Sequence, residues 1–293
     1  MFLKGKRVAK YSYVLPVIVV LVGITIFPLI YSLGLSFHFC DLRRGGRWIF
    51  AGLDNYGEAL FGDARVWSSL KNTFNIGVPA ISLEFGIGLG LALLLNRKIV
   101  GKRIITSLLI TPIMISPIVA GLIWRMLYHE KYGAINGIIQ SLGINIQPVW
   151  LADPKLAVLA VIFTDVWEWT PLVMMILLAG LQSIPLEPYE SARMDGASPF
   201  QIFGYITLPL LRLPIMAAIV IRFIDTIKLF DIVYVLTMGG PAGKTETISF
   251  YTYLVGFRYF RMGYAAALSY LLLILTIILT TAFIRLMRLR EAA

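Results

Sequence analysis

Residues 190–209 read Glu190-Ser-Ala-Arg-Met-Asp-Gly-Ala-Ser-Pro-Phe-Gln-Ile-Phe-Gly-Tyr-Ile-Thr-Leu-Pro209. The first part is a polar island between two long apolar runs, and a polar segment of this length cannot rest in hydrocarbon. It therefore lies in water beside a membrane. Its local grammar predicts a short helix, a break and a second helix start. Pro185 and Pro188 fall where a first turn tolerates proline, since the missing N–H would be unpaired there anyway. Tyr189 to Met194 are helix formers. Gly196 suits the left-handed residue past a helix end. Ser198-Pro199 supplies an N-cap followed by proline at the first helical position. The product is a small rigid helix on a membrane face, the form a docking element for a soluble partner takes.

Composition agrees independently. Hydrophobic residues make up 58% and charged residues 14%, against about 25% charged in a soluble domain, and the mean hydropathy is +0.81. The net charge of +10 reads as loop Lys and Arg beside lipid headgroups, not as a nucleic-acid surface. Cys40 is the one cysteine, which excludes an intrachain disulfide and a cysteine-based metal site. His38 and His129 belong to no ligand or triad pattern, so neither a catalytic nor a metal site is expected.

Six apolar segments are near the ~20 residues a spanning helix needs: 13–37, 70–95, 104–128, 156–181, 213–236 and 264–287. The first follows Lys4, Lys6, Arg7 and Lys10, as a secretory signal would. Its length and the lack of a small-residue cleavage site make it a retained span. Arg97, Lys98, Lys102 and Arg103 in the loop after the second span, and Arg285, Arg288 and Arg290 at the C-terminal end, fall on the side of the N-terminal tail. That side is expected to be cytoplasmic, with both termini on it. The opposite loop dilutes the rule with Arg43, Arg44, Arg47 and Arg65, offset by Asp41, Asp54, Glu58 and Asp63. The Glu190 island then faces the cytoplasm. A short interfacial helix is expected within 38–69, and turns with an interfacial Trp150 within 129–155.

With topology in place, the island resembles the EAA loop of the membrane subunits of ABC importers. Glu190-Ser-Ala, Gly196 and Ile206-x-Leu-Pro209 carry the pattern, with Ser191 where alanine is usual. Gly239-Gly-Pro-x-Gly-x-Thr-Glu-Thr247, Tyr251, Tyr253 and Gly263-Tyr-Ala-Ala-Ala267 resemble the carbohydrate-importer branch, typified by the first maltose, glycerol-phosphate or trehalose permease subunit. The resemblance covers roughly 66–288. It implies one all-α transmembrane domain over 1–293 with six helices of the type I ABC importer fold, and a cytoplasmic coupling helix within 185–200. The chain would be a transport subunit in the cell inner membrane and no enzyme, binding no cofactor itself. ATP and Mg would sit on two partner ATPase subunits. A second related permease and an external solute-binding protein that delivers a sugar or polyol would complete the complex. Tyr189, Glu190, Ser191, Ala192, Asp195, Gly196 and Ala197 would meet the ATPase. Glu190 and Asp195 would supply polar contacts, and Ala192, Gly196 and Ala197 would permit close approach.

Gly239-Gly-Pro-Ala-Gly-Lys-Thr245 imitates a phosphate-binding P-loop. That motif requires four residues between its first Gly and Gly-Lys-Thr; the required position here is Met238, and no strand leads into it. A tight external turn is expected instead.

Charges within the spans mark a path. Arg222, Asp225, Lys228 and Asp231 recur every three residues with alternating sign, so neighbours on one helix can neutralise each other. They form either an ion ladder that holds the bundle or part of a wet path. Asp165, Glu168, Trp169 and Leu172 share one face of the fourth span. Carboxylates accept sugar hydroxyls and an indole covers the C–H face of a pyranose, whereas Trp167 and Trp169 could equally pack in the core or face lipid. The resemblance places the sugar pocket on these two spans, with Thr226 and Leu229 beside Arg222 and Asp225. Gly86, Gly88 and Gly90 supply a Gly-x-x-x-Gly pair for close helix packing. Pro112, Pro117 and Pro171 can kink their helices. Arg222 and Lys228 leave open an anionic sugar, such as a phosphate or sulfonate. An ion-coupled secondary transporter would use the same charges but shows inverted repeats, which this sequence lacks, and has no use for a docking island.

Overall fold

A computed structural model describes residues 14–289. The basic tail from Lys4 to Lys10 and Arg290 lie outside the described residues. Among the described residues, four helices are long and apolar enough to cross a membrane. They are α1 (Val14–Ser36), α3 (Ala64–Leu95), α7 (Pro154–Ser183) and the chain's last helix, α13 (Met262–Leu289). Two bent pairs bring the number to six: α4 (Lys102–Met114) with α5 (Pro117–Leu127), and α9 (Pro199–Leu210) with α10 (Arg212–Ile227).

The chain forms two compact units, residues 14–66 with 252–275 and residues 67–251 with 276–289. In the first, a two-stranded hairpin pairs β1 (His38–Phe39) with β2 (Ile49–Phe50). Its connection closes through Gly45 and Gly46, both at positive φ, after Asp41 caps a single 3₁₀ turn by accepting from the Arg43 N–H. The interfacial helix expected between 38 and 69 is α2 (Asp54–Gly57), continued by a π-turn to Gly62. Arg261 grips Glu58 through two hydrogen bonds of 2.6 and 2.8 Å. The Tyr264 hydroxyl donates to Asp63 at 2.8 Å. Gly263 lies against the His38 carbonyl so closely that a Cβ there would overlap it.

In the second unit α7 is the axis, and buried residues recur along its whole length. Val173, Met174, Leu177 and Leu181 pack with Ala92 and Leu95 of α3, and with Leu211 and Ala218 beside and on α10. Glycines set the approach of the helices. A Cβ on Gly180 would stand 2.5 Å from Pro214 of α10, and one on Gly88 would stand 3.1 Å from the Met174 backbone nitrogen. A Cβ on Gly77 would meet the Thr226 side chain more closely still. Of the three glycines expected to form a packing pair, Gly88 makes the contact, while Gly86 and Gly90 meet open space in this chain. The reason is helical phase: Gly88 lies about 200° around the helix from each.

The third expected span is sharply bent, as its prolines allow, and the fifth is corrected. After Pro112, Ile115 and Ser116 are extended, and the two halves meet at 100°, since Pro117 disfavours helical backbone at the residue before it. The fifth, expected to run unbroken over 213–236, stops at Ile227. Lys228 caps it, and a new helix, α11 (Asp231–Leu236), begins beyond Phe230. Pro171, by contrast, sits inside α7 without ending it.

Gly180→Leu should destabilise the isolated chain by at least about 1–3 kcal/mol through overpacking. Gly86→Leu, built into open space, should not, and thermal aggregation midpoints in one detergent compare the two. Burial, with Asp41 adding to it, pushes the Cys40 thiol up, so little reactive thiolate is present at neutral pH. Maleimide should label native protein slowly and denaturant-treated protein fast; equal rates would contradict the packing of this segment.

Candidate functional site: a buried ion triad and an exposed polar helix

Arginine is the side chain that can serve two carboxylates at once, because its planar fork carries five N–H donors. Arg222 of α10 uses three hydrogen bonds this way. Its Nε donates to Glu84 Oε2 at 2.6 Å and its Nη2 to Glu84 Oε1 at 2.9 Å. The same Nη2 donates to Asp165 Oδ2 at 2.9 Å. All three side chains are at most 2% exposed. The Trp169 ring lies 4.7 Å from the guanidinium carbon, adding a cation–π contact. One cation thus joins α3, α7 and α10.

This corrects the expected ladder. Arg222 pairs across helices, and among the described residues Asp225, Lys228 and Asp231 form no ion pair with it or with one another. For Lys228 and Asp231 the i, i+3 arithmetic fails because α10 ends at Ile227: Lys228 is exposed on its cap and Asp231 opens α11. Asp225 stays one turn from Arg222 on α10, but the guanidinium fork is taken by Glu84 and Asp165. Glu84 went unnoticed in the sequence. It is the one carboxylate within the apolar 70–95 run, and the cost of an unpaired charge there was the signal that could have found it.

The rest of the predicted path gathers unevenly. Asp165 and Glu168 are buried, and Trp169 and Leu172 half-buried, on α7. Glu168 Oε2 is buried without a hydrogen-bond partner, as is Thr226 Oγ1 on α10. Buried polar atoms of this kind are costly and mark places where a ligand or water can be received. Trp167 turns out to pack edge-on against Trp124, with ring centroids 5.7 Å apart. Leu229 lies past the end of α10, where its carbonyl accepts from the Thr247 hydroxyl at 2.6 Å.

Thr247 lies two residues past the P-loop imitator. Thr237 and Thr245 hydroxyls meet at 2.6 Å, and Thr245 donates to the Gly240 carbonyl at 2.6 Å. Ser69 donates to Glu246 at 2.9 Å. The loop's hydroxyls are spent on its own fold, as expected of a turn.

The polar island forms α8 (Glu187–Met194), which has no buried residue. Asp195 ends it, and Gly196 takes φ +79°. Ser198 and Gln201 then close a reciprocal capping box with Pro199 in the first turn of α9, which fixes the angle between the helices. Glu190, Ser191, Asp195 and Gly196 are exposed, while Ala192 and Ala197 are half-buried. Tyr189 differs: its hydroxyl donates to Thr207 Oγ1 at 3.3 Å, bracing α8 against α9. Met194, Phe200 and Tyr205 are 82–88% exposed, an apolar surface beside the polar one.

Residues 85–291 match the family described as the inner membrane component of binding-protein-dependent transport systems. The chain is 36% identical over 292 residues to the trehalose/maltose transport system permease protein MalF of Thermococcus litoralis, covering 97% of this chain and 96% of that one. It is 31% identical to the sulfoquinovosyl glycerol transport system permease protein SmoG of Agrobacterium fabrum, covering 98% and 92%. Its fold matches a chain in the crystal structure of a bacterial ABC transporter that imports the acidic polysaccharide alginate. The TM-score is 0.83 at 22% identity, over 97% of this chain and 96% of the other.

Arg222→Gln strips two buried carboxylates of their counter-charge and should cost about 3–5 kcal/mol. Adding Glu84→Gln and Asp165→Asn should restore part of that loss. Thermal midpoints of the single and triple variants, and strict additivity between them, are the check; additivity would mean the three groups do not act as a unit.

Proposed function

We propose, for a chain that belongs to the family of inner membrane components of binding-protein-dependent transport systems, the role of a permease subunit in an ATP-driven sugar importer. It is a multi-pass membrane protein, and the transport path is its business. The observation that carries the reading is α8: a polar helix with no buried residue, joined through a fixed turn to helices that hold a buried charge cluster.

In this reading two ATPase subunits bind ATP and Mg, and this chain binds neither. A cleft of one ATPase receives α8, with Glu190 and Asp195 making polar contacts and Ser191, Ala192, Gly196 and Ala197 allowing close approach. Tyr189 holds the helix to its own scaffold, so that force on α8 reaches α9 and α10. Closure of the ATPase pair on ATP turns α8 and moves α10 relative to α7. A second related permease supplies the other wall of the path, and an external binding protein delivers the sugar. The face bearing α8 is then cytoplasmic, as are both termini.

The substrate position lies on α7 and α10, at Glu168, Trp169, Thr226 and the Arg222–Asp165 pair, with Leu172 as an apolar neighbour. Glu168 Oε2 and Thr226 Oγ1 are the unpartnered atoms that sugar hydroxyls would satisfy, and the Trp169 face would cover a ring's C–H surface. Asp225 lies further toward the end of α10, and Leu229 just past it. Arg222 is already matched by two carboxylates, which favours a neutral sugar or polyol over a phosphate or sulfonate ester.

Glu190→Lys should leave the purified chain folded, since Glu190 is exposed, yet abolish co-purification of a P-loop ATPase and lower transport at least about tenfold, the effect of reversing one charge at a docking contact. Pull-down from native membranes with mass spectrometry, together with binding-protein-stimulated ATP hydrolysis, decides it. Survival of both would remove α8 from the docking role.

A further inference from the structure

The connection between α5 and α7, with the end of α11, borders an open cavity of about 670 Å³ at the opposite end of α7 from α8. With 30 residues in α7, the two lie about 45 Å apart along its axis. Its walls include Arg125, Tyr128, His129, Lys131, Tyr132 and Trp150. The volume lies within the range of small-molecule sites, about 300–1,000 Å³.

Its aromatic walls are held in place. Trp150 Nε1 donates to Asn136 Oδ1 at 2.8 Å. Asn136 is buried and donates in turn to the Glu130 and Pro148 carbonyls at 3.0 and 3.1 Å. The loop thus fixes the indole of Trp150 from its edge, leaving the ring faces to be covered by packing or by a ligand. The Tyr132 ring stacks on His129 at 5.2 Å and 24°, yet Tyr132 is 86% exposed. Arg125 spends one Nη on the Val235 carbonyl at 3.0 Å, with donors to spare.

From this cavity a row of rings leads inward. Trp150 meets Tyr128 at 5.7 Å, Tyr128 meets Trp124 at 5.3 Å, and Trp124 meets Trp167 at 5.7 Å. Trp167 adjoins Glu168 in the sequence. Trp124 Nε1 is buried with no hydrogen-bond partner, a donor that packing alone leaves unexplained, because a buried indole N–H usually finds an acceptor.

We propose that this cavity is a second carbohydrate position, the entry point of the path, which takes a hexose ring between the Trp150 and Tyr132 sides. Aromatic faces meet the ring's C–H surface, while Arg125 and Lys131 donate to its hydroxyls. The position rests on the sugar-importer reading and adds a site to it, distinct from the Glu168–Trp169 position on α7.

The test is photolabelling of the complete transporter complex in nanodiscs, without binding protein, using a diazirine-bearing methyl glucoside and unlabelled methyl glucoside as competitor. Competable label is expected within 129–132 or 149–152. Tyr132→Ala should weaken it about three- to tenfold, the loss of one aromatic contact. Trp150→Phe, which keeps a ring, should retain it. Competable label confined to 165–169 would overturn the entry position while the sugar reading stands. Absence of competable label anywhere would count against both. Label unchanged in Tyr132→Ala, with binding-protein stimulation of ATP hydrolysis lost, would make the cavity a protein-docking surface and overturn the proposal.

Discussion

A guanidinium cannot be left alone in hydrocarbon, and the inner arrangement of this chain follows from that constraint. Arg222 stands on a helix between lipid-length apolar runs, so it must find carboxylates or water. It finds Glu84 and Asp165 on two other helices. Each bond spans a helix boundary, which turns an electrostatic necessity into a register: α3, α7 and α10 must align at this level. Gly77 against Thr226 and Gly180 against Pro214 let the same helices come close enough for the bonds to form. Packing and charge therefore support one another, and neither suffices alone. A buried ion pair is weak evidence of net stability, but it is strong evidence of a preferred alignment that a moving helix must abandon or carry with it.

The polar helix at the other level is built on the opposite logic. It buries nothing within the chain, so its stability comes from local devices: proline near its start, glycine at its end and a capping box on the helix that follows. Such devices fix direction as well as helicity. With the Tyr189–Thr207 brace, they leave α8 little freedom to swing independently of α9. A partner that displaced it would move α9, and through Leu211 the head of α10, four residues after Thr207 and eleven before Arg222.

The sequence disclosed features whose physical cause is local or compositional. Span number follows from hydropathy, and the turn at Gly196 and the cap at Ser198 follow from backbone sterics and one hydrogen bond. The hairpin at 38–50 has only a weak signal in the sequence, since the Gly45-Gly46 turn is flanked by Arg44 and Arg47 and its strands are two residues each. What remained hidden depended on other helices. Charges spaced by three on an apolar run look like one ladder; only the end of α10 at Ile227 shows that Lys228 and Asp231 leave it. The partner of Arg222 lies 138 positions away, and no periodicity within one helix reveals such a pairing. The orphaned oxygens of Glu168 and Thr226 are hidden in the same way, since an unsatisfied atom is defined by surroundings that the chain creates only on folding.

The unpartnered groups and the triad are coupled through α7. Asp165 holds Arg222, Trp169 covers that guanidinium, and Glu168 lies between them in sequence with an oxygen unused. A sugar that engaged Glu168 and Trp169 would press on the face of the helix that anchors the cation. Movement of α10 driven from α8 would pull Arg222 from the other side. In the proposed role, substrate and energy input would act on the same salt bridge from its two ends. Binding alone need not open it: only a ligand with different affinity for the joined and parted arrangements can shift the balance between them. A single bridge reached from both sides would be enough to make transport depend on both events.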